Sequence, residues 1–242
     1  MKKLIKKLFP GLVIVYNRLY NYIVHYRFKN LAMEQVFATI YKENHWGDNE
    51  SKSGTGSNAK NAQSVVQIFT KIKSSYSVNT VVDIPCGDFN WMKNVDLNGI
   101  MYIGADIVGD LIEGNNKQYG RSNIEFRKLN MIESNIPKAD LIFCRDCLVH
   151  FSYKDIKKAL DAVKASGSLY FVTTTFPSHK NYDIITGDWR PLNLQAAPFN
   201  FPTPSFIENE DCMEDDSGKY QDKSLAVWKI SDLPYFLDRL SG

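Results

Sequence analysis

The sequence is poor in cysteine. Its 242 residues include four cysteines, at positions 86, 144, 147 and 212, and a single C-x-x-C pair. Cys144 falls inside an apolar stretch and no second pair has metal-ligand spacing, which argues against a zinc site. The same pattern excludes a disulfide framework, so it fits a reducing compartment and predicts a cytoplasmic protein.

Long apolar runs are also missing. The apolar stretch that begins near Leu8 is interrupted by Asn17 and Arg18, well short of the ~20 residues of a membrane-spanning helix. No small-residue cleavage site follows, so we predict no signal peptide. Residues 1–30 instead combine apolar side chains with seven basic residues and no acid. Two interpretations stay open: an interfacial helix in peripheral contact with the inner face of the membrane, or a helix that packs on the domain or joins two copies.

The remainder of the chain lacks an excess of positive charge. Beyond residue 30 it has 22 basic and 27 acidic residues, so its main body is negative overall. A negative body is poorly suited to a phosphate backbone, and nucleic acid is therefore not an expected partner.

The dinucleotide fingerprint G-x-G-x-x-G is absent. In its place, residues 81–91 read VVDIPCGDFNW, an apolar strand that ends in Asp83 and runs into a turn with Gly87. The next apolar strand ends in Asp106. A strand, a glycine turn, a helix and a strand ending in an acid form a nucleoside-binding arrangement, in which the acid accepts from ribose hydroxyls. Asp83 and Asp88 would repel a pyrophosphate but suit the amino and sulfonium cations of S-adenosylmethionine (SAM).

Apolar periodicity predicts alternating strands and helices along the chain. Helices are predicted at 62–72, 89–95, 109–118 and 153–165, and strands at 80–85, 101–107, 124–129, 140–145, 168–175, 205–209 and 224–230. We therefore predict an α/β, Rossmann-like, doubly wound fold with a seven-stranded, mainly parallel sheet and a C-terminal antiparallel hairpin. The domain, residues 38–242, would follow a basic and aromatic helical extension, residues 1–37.

Several stretches resemble the class I SAM-dependent methyltransferases. They are VVDIPCGDFNWM, YIGADIV, LIFCRDCLVHF and GDWRPLNLQAAPFNFPTP, within a region from about Ala38 to Ser231. Of the glycines in the family's first motif only Gly87 is present, with Pro85 and Phe89 at the other two places. The stretches look like those of a bacterial and viral subgroup associated with glycan biosynthesis. The resemblance implies an O-methyltransferase that acts on a sugar hydroxyl of a surface polysaccharide or related glycan.

The strand ends and the resemblance together predict a SAM site. Asp106 would accept from the ribose, while the resemblance implies that Asn130 and Met131 contact the adenine and that a serine-glycine loop after Trp46 closes over the methionine part. A flexible linker is the alternative for that loop, and a helix cap is the alternative for Asp83. The predicted cofactor-binding residues are Trp46, Ser53, Gly54, Ser57, Asp83, Pro85, Gly87, Asp88, Asp106, Ile107, Asn130, Met131 and Arg145.

Asp146 and His150 are the predicted catalytic residues. They follow a buried strand that ends near Cys144, so they should emerge at the carboxyl edge of the sheet, and four-residue spacing places them on one face of a helical turn. An alcohol that attacks a methyl group needs a positioned base, and histidine suits that task. The alternative is a helix cap at Asp146 and a His150 satisfied by a carbonyl group.

The loop from Pro177 to Ser205 is too long for an idle connection, so we predict that it binds the sugar or glycan acceptor. Ordinary loop packing is the alternative. Asp146, Asp183 and Asp188 offer oxygen ligands of the kind that Mg²⁺ takes, but we predict no metal site. The predicted substrate-binding residues are Thr175, Asn181, Asp188, Trp189 and Arg190.

Two other functions stay open. One is a non-catalytic, cofactor-binding subunit of a glycan-assembly complex. The other is methylation of protein or nucleic acid. The stretch from Arg145 to Leu148 counts against the nucleic-acid route, because it stands where amino-methylating nucleic-acid enzymes have a D-P-P-Y type motif.

Overall fold

The computed structural model describes residues 26–133, 135–211 and 218–236. Most of the N-terminal segment, residues 1–30, for which membrane contact and packing on the domain are the two interpretations, lies outside these ranges. Of its described residues, Phe28 is buried. No helix within the described ranges combines the length and the apolar character that crossing a bilayer requires.

Seven strands form one sheet. They are β1 (Thr80–Asp83), β2 (Met101–Asp106), β3 (Ile124–Lys128), β4 (Leu141–Cys144), β5 (Tyr170–Thr175), β6 (Phe206–Asn209) and β7 (Ser224–Lys229). Their order is β3-β2-β1-β4-β5-β7-β6. The first five strands pair in parallel, while β7 is antiparallel to both β5 and β6. The predicted doubly wound sheet with its C-terminal antiparallel hairpin is confirmed.

In the described part of the chain, four amphipathic helices accompany the strands. They are α1 (Met33–Lys42), α2 (Gln63–Ser75), α3 (Gly109–Tyr119) and α4 (Tyr153–Ala165). Each presents apolar residues at helical spacing to the core, as α4 does with Ile156, Leu160 and Val163. Ser152 caps α4, because its hydroxyl accepts a hydrogen bond from the N–H of Asp155 at 3.2 Å.

The helix predicted at 89–95 is wrong. The chain forms only one 3₁₀ turn there, Met92–Asn94. Gly87 and Phe89 both have positive φ, at 54° and 59°, so the backbone leaves the helical region just after β1. The Phe89 ring is instead buried against Tyr102 and Phe126, at centroid distances of 5.4 and 5.1 Å.

Parallel pairing brings several acids to one edge of the sheet. Asp83 pairs in register with Gly104 of β2 and Phe143 of β4. Asp106 ends β2 two residues beyond Gly104, on the same side of the strand. The carboxyl ends of β1, β2 and β4 therefore form one rim, as in other open α/β sheets.

Helix α1 belongs to the body of the protein. The predicted boundary between residues 37 and 38 falls inside it, and its Val36 and Ile40 are buried together with Phe28. These side chains pack on Gly187, where an added Cβ would lie 2.6 Å from Val36 Cγ1 and 2.9 Å from Phe28 Cδ2. The helix is therefore fixed against the loop that follows β5.

Candidate functional site

A cleft opens at the carboxyl edge, beyond the ends of β1, β2 and β4. It encloses about 1010 Å³, including space open to solvent, which is enough for a nucleoside cofactor. The predicted residues that line it are Trp46, Ser53, Ser57, Asp83, Pro85, Gly87, Asp106, Ile107, Asn130, Met131, Arg145, Asp146 and His150. The predicted residues that do not line it are Gly54, Asp88, Thr175, Asn181, Asp188, Trp189 and Arg190.

Two buried carboxyl groups face this cleft. Asp83 is 2% exposed and Asp106 is 7% exposed. The Tyr102 hydroxyl donates to Asp83 Oδ2 at 2.5 Å, and the N–H of Val108 donates to Asp106 Oδ1 at 3.0 Å. Burial outweighs these bonds and raises the pKa of Asp83 to about 7 and the pKa of Asp106 to about 6. A cation in the cleft would favour the ionised forms, so the site suits a positively charged ligand.

Asp88 ties the serine-glycine loop (residues 46–57) to the turn after β1. Its carboxylate accepts hydrogen bonds from the Ser51 hydroxyl at 2.9 Å, the Lys52 N–H at 3.0 Å and the Ser53 hydroxyl at 3.2 Å. This is a correction to its predicted role, because the carboxylate holds the loop and does not line the cleft.

The loop lies directly on Gly87. An added Cβ at Gly87 would be 2.3 Å from Ser53 Oγ, so only glycine leaves room for the loop. Gly54, at φ 96°, lies against the Trp46 side chain, where a Cβ would be 3.3 Å from Trp46 Cβ. Gly54 thus supports the tryptophan and has no place in the wall of the cleft.

Helix α1 and the loop also supply cleft residues that were not predicted. Met33, Phe37 and Tyr41 reach it from α1, and Lys52 reaches it from the loop. The Lys52 ammonium lies 4.8 Å from the centroid of the Tyr41 ring. The spacing of four residues between Met33, Phe37 and Tyr41 was the signal available in the sequence.

The far end of the cleft follows β3. Asn130 and the buried Met131 line it there. The Asn130 side chain accepts from the N–H of Ile132 at 3.2 Å and donates to Glu133 at 2.8 Å, which fixes its orientation. Trp91, which is not among the predicted site residues, also lines the cleft, with the Arg145 guanidinium 6.0 Å from its ring centroid.

His150 lies on the 3₁₀ turn Leu148–His150 after β4. Its Nδ1–H donates to the backbone carbonyl of Asp188 at 2.9 Å, and its ring packs on Trp46 at a centroid distance of 5.1 Å. Because Nδ1 carries the proton, Nε2 keeps its lone pair. Burial lowers the pKa of His150 to about 4, against the opposing effects of the Asp188 carbonyl and the Asp146 charge. His150 is therefore neutral at physiological pH and can accept a proton at Nε2.

Asp146 adopts a strained backbone conformation at the start of this turn. Its φ is 51°, in the left-handed region that few non-glycine residues adopt. The N–H of Asp146 donates to Thr174 Oγ1 at 2.9 Å, and the Lys223 ammonium donates to its Oδ2 at 2.8 Å. These contacts hold the carboxylate in place.

Four charged side chains form a network beside the cleft. Glu210 accepts from Arg145 Nη2 at 2.8 Å and lies 3.5 Å from Lys223 Nζ, and Arg145 lies 3.4 Å from Asp146. Burial would raise the pKa of Asp146, but the charges of Lys223 and Arg145 outweigh it and hold that pKa well below its usual range. Asp146 is therefore ionised throughout the neutral range. Glu210 and Lys223 were not predicted, since no local pattern marks them.

Three predicted substrate-binding residues instead hold the loop after β5 together, which corrects their assignment. Arg190 is fully buried and donates to the carbonyls of Leu148 and Phe151, each at 2.9 Å. Asn181 donates to the carbonyls of Asn193 and Ala197, at 2.7 and 2.8 Å.

Thr175 is also buried, at 1% exposure, and its hydroxyl donates to the Leu192 carbonyl at 3.3 Å. Of the remaining two predicted residues, Asp188 contacts His150 through its backbone, and Trp189 is 40% exposed at the surface. The structure therefore does not bring the five together into one acceptor site.

Metal-ligating side chains do not cluster in the described ranges, where no three His, Cys, Asp or Glu residues are arranged to hold an ion. Asp183 serves another purpose, since its carboxylate accepts from the N–H groups of Tyr153 and Ile184 at 2.7 and 2.8 Å. The cation site that Asp146, Asp183 and Asp188 suggested is not formed.

Comparison with known proteins identifies the fold. No protein-family model matches the chain, and no curated protein matches it. Among solved structures, magnesium protoporphyrin IX methyltransferase (ChlM) from Synechocystis PCC 6803 with bound SAM is similar over 83% of this chain and 98% of its own, at 11% identity and a TM-score of 0.53. PigF with SAH is similar over 70% of this chain and 56% of its own, at 15% identity and a TM-score of 0.51.

Human N-acetylserotonin methyltransferase in complex with SAM covers 69% of this chain at 13% identity and a TM-score of 0.47. The chain spans about half of that protein, 51% of its length. At such identities the similarity concerns the fold alone. The chain has the Rossmann-like fold in which ChlM is seen with SAM bound. Its own cleft lies at the carboxyl edge of the sheet.

Proposed function

We propose that this protein is a SAM-dependent O-methyltransferase that acts on a sugar hydroxyl of a surface polysaccharide or related glycan. The observation that carries the proposal is the meeting of two pairs of side chains in one cleft, Asp83 with Asp106 and Asp146 with His150. The first pair suits a cationic nucleoside, and the second suits proton removal from an alcohol. The fold shared with ChlM supports the same reaction class.

The residues present fit SAM. Asp106 ends β2, where an acceptor for ribose hydroxyls is expected in a sheet of this kind. Asp83 provides a second acid for a cationic amino group, and the hydroxyls of Ser53 and Ser57 are available for the amino-acid part. Met131 contributes apolar surface for a flat base at the far end.

His150 and Asp146 would have different roles in removing the proton from the acceptor hydroxyl. SAM supplies an activated methyl group on a sulfonium. Asp146 is ionised and held by cations, so it orients the acceptor hydroxyl by accepting its hydrogen bond. His150 takes the proton at Nε2 as the oxygen–carbon bond forms and the carbon–sulfur bond breaks. The cleft contributes to the rate mainly by orienting the two reactants.

A sugar acceptor is supported by two features. The resemblance of the motifs points to glycan biosynthesis, and the loop beside His150 carries an exposed tryptophan, Trp189. Aromatic faces pack well on the C–H faces of sugar rings, while ring hydroxyls need polar partners nearby.

Methyl transfer can be tested with purified full-length protein. Glycan extracted from cells that lack the gene would be incubated with SAM labelled in its methyl group. We expect label in the glycan and a mass increase of one methylene unit on a sugar. His150→Ala should bind SAM but transfer label at least about 100-fold more slowly, and it serves as the matched control. Label in protein or RNA instead of glycan would contradict the sugar assignment. Binding of SAM without any transfer would favour a non-catalytic subunit.

The basic segment, residues 1–30, is proposed to hold the enzyme at an anionic membrane surface, near lipid-linked acceptors. Its seven basic residues and its apolar side chains support this assignment. Full-length protein should therefore bind vesicles that contain phosphatidylserine more tightly than protein that starts at Tyr26, which keeps the buried Phe28. Equal binding would contradict membrane contact.

A further inference from the structure

A group of aromatic rings lies near the surface on the loop after β5, the loop that contacts His150. Phe176 follows β5 and is buried, and the rings of His179, Trp189 and Tyr220 surround it at centroid distances of 5.7, 6.0 and 6.1 Å. We call these four residues the aromatic cluster. Trp189 is 40% exposed although it lies on packed rings.

The exposed Trp189 ring and the half-buried rings of His179 and Tyr220 form a corner. Tyr220 stacks on His179 at 5.6 Å with an interplanar angle of 29°, and it meets Trp189 at 4.8 Å and 78°. Tyr182, on the same loop as Trp189, is 53% exposed. Two exposed rings beside two half-buried ones, within one small area, indicate a binding surface more than incidental packing.

Two backbone connections link the aromatic cluster to the proposed catalytic base. The carbonyl of Asp188, the residue before Trp189, accepts from His150 Nδ1 at 2.9 Å. The N–H of Gly187 donates to the His150 carbonyl, also at 2.9 Å. Trp189 therefore lies within one residue of a direct contact with His150.

The cluster also adjoins Asp146. The Thr174 hydroxyl accepts a hydrogen bond from the N–H of Asp146, and Phe176 follows Thr174 by two residues in the sequence. The N–H of Lys223 donates to the Tyr220 carbonyl at 3.1 Å, while its ammonium holds Asp146. Both proposed catalytic residues are thus hydrogen-bonded to chain segments that also carry residues of the aromatic cluster.

The loop that carries Trp189 is held in place before any ligand arrives. Arg190 is completely buried and joins the carbonyls of Leu148, Phe151 and Tyr182. A rigid ring loses little conformational entropy when it binds a ligand. The buried Arg190 therefore prepares the neighbouring Trp189 as a binding surface.

Polar groups border the rings. His179 Nδ1 lies 3.2 Å from Asp222 Oδ2, and Asp222 also accepts from the N–H of Ser178 at 2.7 Å. Flat apolar faces with hydrogen-bonding groups at their border match a sugar ring, which has C–H groups on its faces and hydroxyls around its rim. We propose that the aromatic cluster binds a second sugar unit of the acceptor, adjacent to the unit that is methylated. This inference rests on the proposed function.

Fragment binding tests the proposal directly. The glycan from cells lacking the gene would be cut into fragments, sorted by length and labelled with a fluorophore, and binding would be followed by anisotropy without SAM. Trp189→Ala should weaken binding of the longer fragments about tenfold, the effect of losing one stacked ring. Binding of single sugars and of SAM should stay unchanged. Trp189→Phe, which keeps a ring, should recover much of the affinity.

Tyr235→Ala is the control, because Tyr235 is also an exposed ring, at 68%, but contacts Lys164 instead. Unchanged binding of long fragments by folded Trp189→Ala, or no preference of the wild type for long over short fragments, would overturn the subsite.

Methyl transfer to the shortest fragment distinguishes failure of the subsite proposal from failure of the proposed function. If Trp189→Ala still methylates it while wild-type binding shows no length preference, the subsite is wrong and the function stands. The opposite result is also informative. If the wild type methylates no fragment, but the Trp189→Ala substitution weakens binding of long fragments, the proposed binding surface is supported and the proposed reaction is contradicted.

Discussion

The ammonium group of Lys223 lies 2.8 Å from Oδ2 of Asp146, across 77 residues of sequence. Lys223 immediately precedes β7, and Asp146 begins the turn after β4, so the bond joins the C-terminal hairpin to the proposed catalytic turn. The Lys223 side chain is 6% exposed and the Asp146 side chain is 29% exposed. The lysine is therefore shielded from solvent, and its charge helps to keep Asp146 ionised.

Lys223→Met should lower kcat and move the acid limb of the pH–rate profile to higher pH. Removal of the lysine leaves Arg145, with Glu210 and His150, as the charged and titratable groups around Asp146, so the pKa of Asp146 rises and the carboxylate protonates sooner as the pH falls. Breaking a buried pair also costs about 3–5 kcal/mol of stability. The measurement is methyl transfer at saturating SAM between pH 4 and 8, with a melting curve for each variant.

Two further variants make this result specific. Lys223→Arg keeps the charge and should retain most of the rate. Lys71→Met removes an exposed lysine that pairs with Glu208 of the same hairpin and should change neither quantity. A folded Lys223→Met protein with wild-type kcat and an unmoved acid limb would show that the lysine has only a structural role.

His150→Ala should reduce kcat by about 10²–10⁴-fold, the usual contribution of a general base. SAM affinity should change little, because the imidazole Nδ1 bonds the Asp188 carbonyl and not a cofactor residue. In the wild type, kcat at saturating SAM should stay level as the pH falls from 7 to 5, because the pKa of His150 is about 4. A loss of rate centred near the ordinary histidine pKa of ~6.5 would contradict this environment.

SAM should bind more weakly in acid. The pKa of Asp83 is about 7 and that of Asp106 about 6, so both are largely neutral at low pH and attract a cation less. We expect a Kd at least about tenfold higher near pH 5.5 than near pH 8, by calorimetry. Asp83→Asn should flatten this dependence, and the uncharged analogue 5′-methylthioadenosine should show little of it.

The same two acids affect the stability of the free protein. A carboxyl group whose folded pKa is raised contributes stability below its unfolded pKa and loses that contribution as the pH rises through the folded value. For Asp83 the loss should occur between about pH 4 and 7. SAM should therefore raise the melting temperature more at pH 8 than at pH 5.5, and an equal shift at both would argue against ionised acids at the site.

Gly87→Ala should weaken SAM binding and lower stability. Its Cβ would lie 2.3 Å from Ser53 Oγ, so the serine-glycine loop must move away from the turn. Gly99→Ala is the control, because Gly99 also has positive φ, 74°, but an added Cβ there meets nothing within 4 Å. Both alanine variants carry the energetic cost of a positive φ at a residue with a Cβ. Only Gly87→Ala should also change the Kd of SAM. Equal Kd values would mean that the loop does not close over the cofactor.

The strands were predictable because their signals are local. Apolar runs that end in Asp83 and Asp106 identified β1 and β2, and the acids that close them did lie at one edge. The helix expected at 89–95 failed because Phe89, a non-glycine residue, takes a positive φ, which no composition rule anticipates. Tertiary contacts of the Phe89 ring determine that conformation.

The candidate site was predictable to the extent that it is continuous in sequence. Asp146 and His150 were found because they follow a buried strand directly. Glu210 and Lys223 were not, because they meet Asp146 and Arg145 only through the antiparallel return of the chain. Arg190 was misassigned, since residue type alone does not distinguish an arginine that meets a ligand from one that joins buried carbonyls.

Gly187 has a wider consequence for how the molecule opens. On one side it packs against Val36 and Phe28 beneath α1, and on the other its N–H bonds the His150 carbonyl. The covering helix and the proposed catalytic turn are therefore joined at a point that has no room for another methyl group. Amide hydrogens in α1 and around His150 should exchange together, as one cooperative unit. Local unfolding of the helix should therefore displace the proposed base, His150, at the same time.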